Sequence, residues 1–427
     1  MEQKTYEVGG KGAISVLIVM MLLFFFNYAD RTILSVALEP IKQAFNLSDT
    51  QAGALPSLLQ LGVALLGIPA AIFGDRWARR KAVSLFAFIW SLATLATAVC
   101  TSFVQMAVAR FFVGSGEAGF SPVGATWLSV AFPKKIRSRI MSLFFVGGQI
   151  GGIAGLIFGG MLITATHDWR APFYVFAIPG ILLGIIILFC PDYKSIKSEG
   201  EAALSGAFFK EWGTFFRIKS WWFDTIGQSF LIFAAATLPM WMPTLMQRAY
   251  KMDPGSSGMV FGLSFLIMIL AAPLGGFLAD KWQQRSKNGR PYFVALVGFM
   301  GLIFTVYQML VIDLPIAWFI AGIILSTFSF GMMFPVFFTI KADVVPAKLR
   351  ATSAGIGNFI AQVTGGVCGS LFVGAVSDAL GGGAHGLQWG LIYLVPIAML
   401  GVVAYLVLTK FYPADSAKVI DEVIAEK

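Results

Sequence analysis

Charged residues are scarce in this 427-residue chain, and their scarcity excludes a soluble globular protein. Only 12% of the residues are charged, against roughly 25% in soluble domains. A further 57% are hydrophobic, so a soluble fold would have to bury almost the entire chain. The composition instead indicates a protein that lies largely within lipid.

Cysteine and histidine are also few, which argues against metal, disulfide and catalytic sites. The three cysteines, Cys100, Cys190 and Cys368, are odd in number and stand in apolar surroundings. The two histidines, His167 and His385, stand alone in predicted loops. No constellation of His, Cys or Ser appears within the apolar runs. We therefore expect no metal, no cofactor and no enzymatic activity.

Long apolar runs dominate what is present. A transmembrane helix needs about 20 predominantly apolar residues. We identify such runs at 13–37, 52–73, 82–102, 105–132, 140–163, 170–190, 221–246, 257–279, 291–311, 315–340, 351–377 and 387–410. The first run contains Asp30 and Arg31 and lacks a small-residue cleavage site, so it is not read as a cleavable signal. The sequence predicts an all-α integral membrane protein with twelve transmembrane helices.

The distribution of Lys and Arg predicts the orientation of these helices. With a cytoplasmic N-terminus, 25 of the 31 basic residues fall in inside segments and 4 in outside segments, while Arg31 and Arg110 lie within helices. Both termini are therefore predicted to be cytoplasmic in a multi-pass protein of the inner (plasma) membrane. The same asymmetry accounts for the net charge of +9, so no nucleic-acid partner is expected.

The sequence also repeats itself. One set of residues recurs at a spacing of 213: Pro122, Thr126, Pro133, Lys135, Arg137, Gln149 and Gly152 correspond to Pro335, Thr339, Pro346, Lys348, Arg350, Gln362 and Gly365. The segments DRWARR (75–80) and DKWQQR (280–285) recur at a spacing of 205. We predict two related halves, 1–190 and 221–427, joined by a cytoplasmic linker at 191–220. Such repeats are typical of transporters whose substrate site lies between the halves.

Charged residues inside the predicted helices need a functional or structural reason. Asp30 and Arg31 on the first helix, and Arg110 and Glu117 on the fourth, are predicted near the middle of the bilayer. An isolated charge there costs about 2.5–3.5 kcal/mol even on a lenient scale, so we expect the four to face a cavity and pair. Asn27 shares the face of Arg31.

A carboxyl beside a cation can gain or lose a proton as its surroundings change. If Glu117 or Asp30 pairs with Arg31, protonation would free a planar guanidinium suited to a carboxylate or phosphate. We assign Arg31 and Asn27 to substrate binding and Asp30, Glu117 and Arg110 to proton coupling. The alternative is a structural ion pair that only orders the helices.

The second half has no charged pair that matches Asp30 and Arg31, so we expect it to shape the substrate pocket. The candidates are polar or aromatic residues within its apolar runs, with one residue of the first half facing them: Gln228, Trp241, Phe330, Asn358, Gln362 and Gln149. For each of them, packing or lipid exposure is the alternative.

The repeated loop segments predict a cytoplasmic gate. Asp75 would find partners among the basic residues of its loop or of segment 134–139, and the contact would be released when the inside opens. The predicted gating residues are Asp75, Arg76, Arg79 and Arg80, with Asp280, Lys281 and Arg285 as the second copy. The alternative is that these basic residues only set topology, although an excess of Lys and Arg in cytoplasmic segments does not require an aspartate.

These motifs resemble a known family. GDRWARRK at 74–81 is similar to the loop signature of the major facilitator superfamily, and Arg110, Gly114, Gly116 and Glu117 match its fourth-helix pattern. NYADR at 27–31 with GEAGFSP at 116–122 is similar to its anion:cation symporter and Spinster-like branches. The chain departs from the pattern at Ala71 and Ala78, where the signature usually has Gly. GGQIGGIAG at 147–155 also lacks the proline of drug antiporters.

The resemblance implies two pseudo-symmetric six-helix bundles and transport by alternating access. We expect a monomeric secondary active transporter in the lipid bilayer that moves a small organic anion, a sugar acid or carboxylate, together with protons. The Spinster-like similarity leaves export of a lysolipid or another amphiphile as the alternative. A channel or sensor is the remaining class, and the duplicated loops argue against it.

Overall fold

The computed structural model describes residues 8–133, 135–193, 213, 215–346 and 349–425, and these ranges are helical apart from short connections. The helices before the predicted linker are α1 (Lys11–Phe45), α2 (Asp49–Arg76), α3 (Arg79–Val99), α4 (Phe103–Ala131), α5 (Arg137–Thr166) and α6 (Ala171–Ile186), which ends in a 3₁₀ turn (Ile187–Phe189). The later helices are α7 (Lys219–Ala235), α8 (Thr237–Ala249), α9 (Pro254–Arg285), α10 (Gly289–Leu310), α11 (Ile316–Val344), α12 (Arg350–Ala361), α13 (Cys368–Ala379), α14 (Gly383–Leu408) and α15 (Tyr412–Ala425).

Within the described residues, 10 helical stretches are long and apolar enough to cross a membrane. The predictions of an all-helical, multi-pass membrane protein are therefore confirmed. The predicted runs at 52–73 and 105–132 are not among the ten stretches, but they lie in α2 and α4, helices of 28 and 29 residues.

The chain divides into two compact units. The first comprises Met1–Ser198 and Met240–Gly262, and the second comprises Glu199–Pro239 and Leu263–Lys427. The segment Met240–Gly262 thus belongs to the first unit although it follows the predicted linker in sequence. Most of that linker, 191–220, lies outside the described residues, and its assignment remains a prediction.

In the first unit, α1 lies close to α5 because the facing side of α5 is lined with glycine. A methyl group built on Gly151 would lie 2.6 Å from Phe25 Cα, and one on Gly155 would lie 2.7 Å from Ala29 Cα. The hydroxyl of Thr32 donates to the Gly152 carbonyl across this contact at 2.8 Å. Small residues allow such close approach of membrane helices. The contact fixes the part of α1 next to Arg31.

Aromatic side chains fill the core of the same unit. Phe24 of α1 stacks on Phe144 of α5 with ring centroids 4.5 Å apart. Phe120 of α4 lies between this pair and Trp90 of α3, with ring centroids 5.8 Å from Phe24 and 5.1 Å from Trp90. Offset and edge contacts of this kind favour aromatic pairs beyond their buried area. Four helices are thereby held around one apolar cluster.

Two irregularities interrupt the helices of the chain's later half. α7 ends at Ala235 and α8 begins at Thr237, just before Pro239 and Pro243, which lack the amide hydrogen that a continuous helix needs. The connection from α12 to α13 is a π-helical turn over Gln362–Val367. Such turns are rare and frequently occur at functional sites.

In the second unit, α7 and α10 both pack against α14, and α11 packs on α10. The final helix, α15, docks on this group: the Tyr412 hydroxyl donates to Asp343 Oδ2, and Ser220 Oγ donates to Asp415 Oδ2 at 2.7 Å. Lys219 lies over the Phe411 ring at 5.2 Å. The start of α15 is therefore anchored on α7 and α11.

Candidate functional site

The four predicted intramembrane charges come together in the first unit as two pairs. Arg31 of α1 donates from Nε to Glu117 Oε2 of α4 at 2.5 Å. The Glu117 side chain is fully buried, whereas 27% of the Arg31 side chain is exposed. Within the described residues, no hydrogen-bond partner reaches Glu117 Oε1 or Asn27 Nδ2, both of which are buried. One arginine therefore remains partly accessible beside a carboxylate with an unused oxygen.

The second pair is more deeply buried. Arg110 Nη1 lies 3.8 Å from Asp30 Oδ1, and their side chains are 0% and 3% exposed. Thr94 of α3 donates to Asp30 Oδ2 at 2.6 Å. The Arg110 guanidinium lies 4.8 Å from the centre of the Phe173 ring of α6, and no described residue accepts a hydrogen bond from it. This pair links α1, α3, α4 and α6 without direct access to water.

Glycine on α4 allows this arrangement. A methyl group on Gly114, which lies between Arg110 and Glu117, would come within 3.1 Å of Leu59 Cα of α2. Gly114 therefore leaves room for α2 to approach α4 closely beside the two charged residues of α4.

The second unit contains a buried ion pair that the sequence reasoning missed. Lys341 of α11 contacts Asp224 Oδ2 of α7, with side-chain exposures of 1% and 0%. Lys341 Nζ also donates to Gln228 Oε1 at 2.6 Å, and the Tyr405 hydroxyl of α14 donates to Asp224 Oδ1 at 2.8 Å. Gln228 Nε2 in turn donates to Asn358 Oδ1 at 3.4 Å. The second half is therefore not limited to neutral pocket residues.

The pair places Lys341 inside a helix, whereas the sequence, in which it is one of the 25 basic residues of the inside segments, predicts it in a cytoplasmic connection. The apolar run ends at residue 340, but α11 continues to Val344 and its last turns lie against α7. A charge that follows directly on an apolar run looks like a helix end in sequence. The available signal was that Asp224 and Lys341 are both charges at the margins of membrane-length runs.

The other predicted pocket residues are distributed as follows. Gln149 is half-buried, as are Asn358 and Gln362 of the second unit. Phe330 is buried in the second unit, where its ring covers Gly301 of α10. Trp241 is fully buried and lies in Met240–Gly262, so it belongs to the first unit and not to the second. The second-unit site is therefore centred on Gln228, Asn358 and Gln362, and the substrate-binding roles remain predictions.

The predicted gating residues are only partly accounted for. Asp75 and Arg76 end α2, and their side chains lie outside the described part of the structure. Arg79 Nη1 donates at 2.8 Å to the carbonyl of Tyr193, which follows α6, and Arg80 Nη1 donates at 3.3 Å to the carbonyl of Leu188, in the 3₁₀ turn that ends α6. These two arginines therefore join α3 to the chain just after α6.

In the second copy, Asp280 pairs with a residue outside the predicted set. Arg290 Nη2 lies 2.8 Å from Asp280 Oδ1, and its Nη1 lies 2.5 Å from Asp343 Oδ2. Lys281 instead lies 6.0 Å from the Phe277 ring centre, and Arg285 is exposed at the end of α9. Arg290, which is not among the predicted gating residues, thus joins α9, α10 and α11.

A further ion cluster in the first unit was not foreseen. Arg248 of α8 binds Asp49 through two nitrogens at 2.7 and 2.9 Å and donates from Nε to Glu39 at 2.7 Å. Lys42 also contacts Asp49 at 2.5 Å. Asp49 follows Ser48, whose hydroxyl caps α2 in a capping box with Gln51. The cluster holds Met240–Gly262 against α1 and α2.

Comparison with known protein families places these features in context. The model of the Major Facilitator Superfamily matches residues 20–369. The chain belongs to the major facilitator superfamily. The prediction that it is not an enzyme is confirmed, because this is a family of transporters.

Two relatives correspond to the two branches that the motifs resemble. The chain is similar to the protein spinster of Drosophila melanogaster, with 25% identity over 371 residues that cover 85% of this chain and 61% of that protein. It is also similar to a probable L-galactonate transporter of Escherichia coli (strain K12), with 29% identity over 277 residues, 61% of each chain. The chain thus spans about 61% of the length of each.

A solved structure shows the same fold. A bacterial homologue of the human lysosomal transporter Spinster, in an inward-facing and occupied conformation, matches with a TM-score of 0.82 and 21% identity. The match covers 95% of this chain and 99% of that chain. The major facilitator fold predicted from the motifs is therefore confirmed at this level.

Proposed function

We propose that this chain is a secondary active transporter that moves a small organic anion, a sugar acid or carboxylate, together with protons. The observation that carries the proposal is the Arg31–Glu117 pair. The Arg31 side chain is 27% exposed, while the side chain of Glu117 that holds it is fully buried. An anion can therefore approach the arginine, and the arginine can exchange its internal carboxylate for that anion.

The pair suggests how a proton and an anion could be linked. While Glu117 is ionised, it occupies Arg31 Nε. When Glu117 takes up a proton, the charge attraction is lost and the guanidinium fork becomes available for a carboxylate or phosphate. Deprotonation would then return Arg31 to Glu117 and release the anion. Asp30 and Arg110 would keep the neighbouring charge balanced throughout the cycle.

The finer architecture belongs to the same proposal. We propose that the ten membrane-length stretches, together with α2 and α4, form twelve spans in two six-helix bundles that act by alternating access. The bias of Lys and Arg supports cytoplasmic termini in the inner (plasma) membrane. The similarity to a probable L-galactonate transporter supports a sugar acid as the substrate class. We propose a monomer as the working form.

The test measures transport of L-galactonate, D-gluconate or adipate by the purified protein in liposomes. Glu117→Gln imitates the protonated state permanently. It should abolish accumulation driven by a pH difference and leave a pH-insensitive exchange of labelled for unlabelled anion. Asp313→Asn, which removes an exposed loop carboxylate, is the matched control. Accumulation by Glu117→Gln under a pH difference alone would show that the proton is carried elsewhere.

A second candidate is export of a lysolipid, because the chain is also similar to a spinster protein. The first unit carries an open groove of about 730 Å³ between α3 and α4, lined mainly by apolar residues such as Leu92, Val108 and Phe112. An acyl chain could lie in such a groove. Competition of lysophosphatidylcholine with the anions for binding, and its outward movement from liposomes, would favour this candidate.

A further inference from the structure

The buried pair of Asp224 and Lys341 has no role in the coupling scheme above. Both side chains are almost completely buried, at 0% and 1% exposure. Replacement of such a pair by apolar residues is often neutral or stabilising, because desolvation offsets most of the attraction. Stability alone is therefore a weak reason for a lysine at this position.

The hydrogen-bond partners of Asp224 and Lys341 are arranged so that the lysine ammonium can move away from Asp224. Lys341 Nζ contacts Asp224 Oδ2 and Gln228 Oε1, two acceptors for the three donors of an ammonium group. Asp224 has a second partner in Tyr405, whose hydroxyl donates to Oδ1 at 2.8 Å. If Lys341 turned away, the carboxylate would still keep one hydrogen bond.

Side-chain amides extend from Lys341 to less buried positions. Gln228 accepts from Lys341 and donates to Asn358 of α12, which is half-buried. Gln362 lies four residues beyond Asn358, about one helical turn, and begins the π-helical turn. Its Oε1 is buried without a hydrogen-bond partner among the described residues. Amides both donate and accept, so this path suits a hydroxylated molecule.

A lysine is also better suited than an arginine to exchanging one carboxylate partner for another. Its ammonium is a compact charge on a flexible four-carbon stem with three rotatable donors. It can therefore exchange one carboxylate for another through a small movement, without the fixed fork of a guanidinium. Arg31 and Lys341 share one feature, a cation held by an internal carboxylate: Glu117 in the first unit and Asp224 in the second.

We propose that Lys341 is an anion-binding residue of the second unit, held by Asp224 when empty and transferred to the acidic group of the substrate. Gln228 and Asn358 then bind neighbouring hydroxyls. The inference rests on the proposed function, because it assumes that the transported molecule is a hydroxylated anion.

The test measures equilibrium binding of L-galactonate and of adipate to the full-length protein in lipid nanodiscs. Galactitol, which keeps the hydroxylated six-carbon skeleton without the acid, serves as the neutral probe. The double variant Asp224→Asn/Lys341→Gln removes both charges and so leaves no unpaired buried ion. Lys418→Gln removes a lysine whose side chain is 75% exposed and is the matched control.

The double variant should bind the acids about 10-fold more weakly or worse, a loss of roughly 1.4 kcal/mol, with a thermal unfolding temperature close to that of the wild type. Asp224→Asn alone should bind them more tightly, because the internal competitor is gone. Galactitol binding should be equal in all variants. Acid binding by the double variant within twofold of the wild type would overturn the inference and leave the proposed function intact. A wild type that binds neither acid would overturn both.

Discussion

The two arginines of the first-unit site differ in access to water. Arg31 keeps 27% of its side chain exposed, whereas Arg110 is closed off at 0%. A partly exposed arginine can exchange its carboxylate partner for a solute more readily than an enclosed one. Arg31 is accordingly the residue that we expect to meet the substrate first.

Arg31→Lys preserves the charge but replaces the planar fork with a single ammonium. We expect at least a 10-fold loss of affinity for a transported carboxylate, because a bidentate contact becomes a point contact. The variant should still insert and unfold at a similar temperature. Binding assays on purified protein measure the effect, with the exposed Arg139→Lys as control. Wild-type affinity in Arg31→Lys would remove this residue from the site.

Asp253 gives a pH-dependent prediction outside the membrane spans. It accepts from the Ser256 hydroxyl at 2.5 Å and the Thr164 hydroxyl at 2.7 Å, and these bonds lower its pKa to about 2. A lowered carboxyl pKa contributes stability above the unfolded value near 3.9, and this stability is lost as the pH falls toward 2.

Asp253→Asn should therefore lower the thermal unfolding temperature by the same amount from pH 5 to 8. The difference from the wild type should shrink below pH 4, as the wild-type carboxylate becomes protonated. Asp168→Asn, on another exposed loop carboxylate, is the control. If the difference in unfolding temperature grew as the pH fell, the ionised form of Asp253 would not be the stabilising one.

Some of this residue-level chemistry could be read from the sequence and some could not. Asp30, Arg31, Arg110 and Glu117 stand out because each interrupts an apolar run, where a charge is costly. The sequence does not decide which carboxylate pairs with Arg31, since Asp30 and Glu117 are predicted at similar depth. Lys341 was missed because it borders its run and its partner is 117 positions away.

At the level of helices, the glycines of α5 determine how α1 is held. Gly155 faces Ala29, two residues before Arg31, and has no room for a methyl group there. The hydrogen bond from Thr32 to Gly152 fixes the same contact. A change on α5 should therefore displace the first-unit site even though it touches no charged residue.

Gly155→Ala should destabilise the protein by about 1–3 kcal/mol through overpacking, and it should also weaken anion binding because Arg31 moves with α1. Gly67→Ala is the matched control, since a methyl group on Gly67 meets nothing within 4 Å. Thermal unfolding and binding are measured on both variants. Equal unfolding temperatures and equal anion affinities of the two variants would contradict the close contact between α1 and α5.

The helices themselves followed from the sequence more completely than their interruptions. Apolar runs of membrane length locate the spans. In lipid each backbone polar group must be hydrogen-bonded internally, so such a run is expected to form a helix. The break between α7 and α8 had a signal in Pro239 and Pro243. The π-helical turn at Gln362–Val367 had none, because one extra residue in a turn leaves no mark on composition.

For the whole molecule, the compact units do not coincide with the two repeats. Met240–Gly262 belongs to the first unit, where Arg248 binds Glu39 and Asp49. The internal repeat marks where related sequences begin and end. It carries no information on which contacts a segment makes once it is folded, so this assignment could not be predicted.

A protease site inserted within 199–212 tests this assignment. After cleavage, the C-terminal piece still carries Met240–Gly262, so the two pieces should remain together during gel filtration. Arg248→Gln should lower the temperature at which they separate, because it leaves the fully buried Asp49 without its bidentate partner. Lys251→Gln is the control. Complete separation of the cleaved wild-type pieces at low temperature would contradict the assignment.

The discontinuous first unit also has a consequence for biosynthesis. Its last segment leaves the ribosome only after the whole predicted linker and α7 have been made. At about 5–20 residues per second, the interval between Ser198 and Gly262 lasts on the order of several seconds. Until translation reaches residue 248, Glu39 and Asp49 have been synthesised but Arg248 has not. The nascent first unit is thus incomplete while the second is already being translated, and a nascent chain stalled before residue 248 would carry Glu39 and Asp49 without their arginine partner.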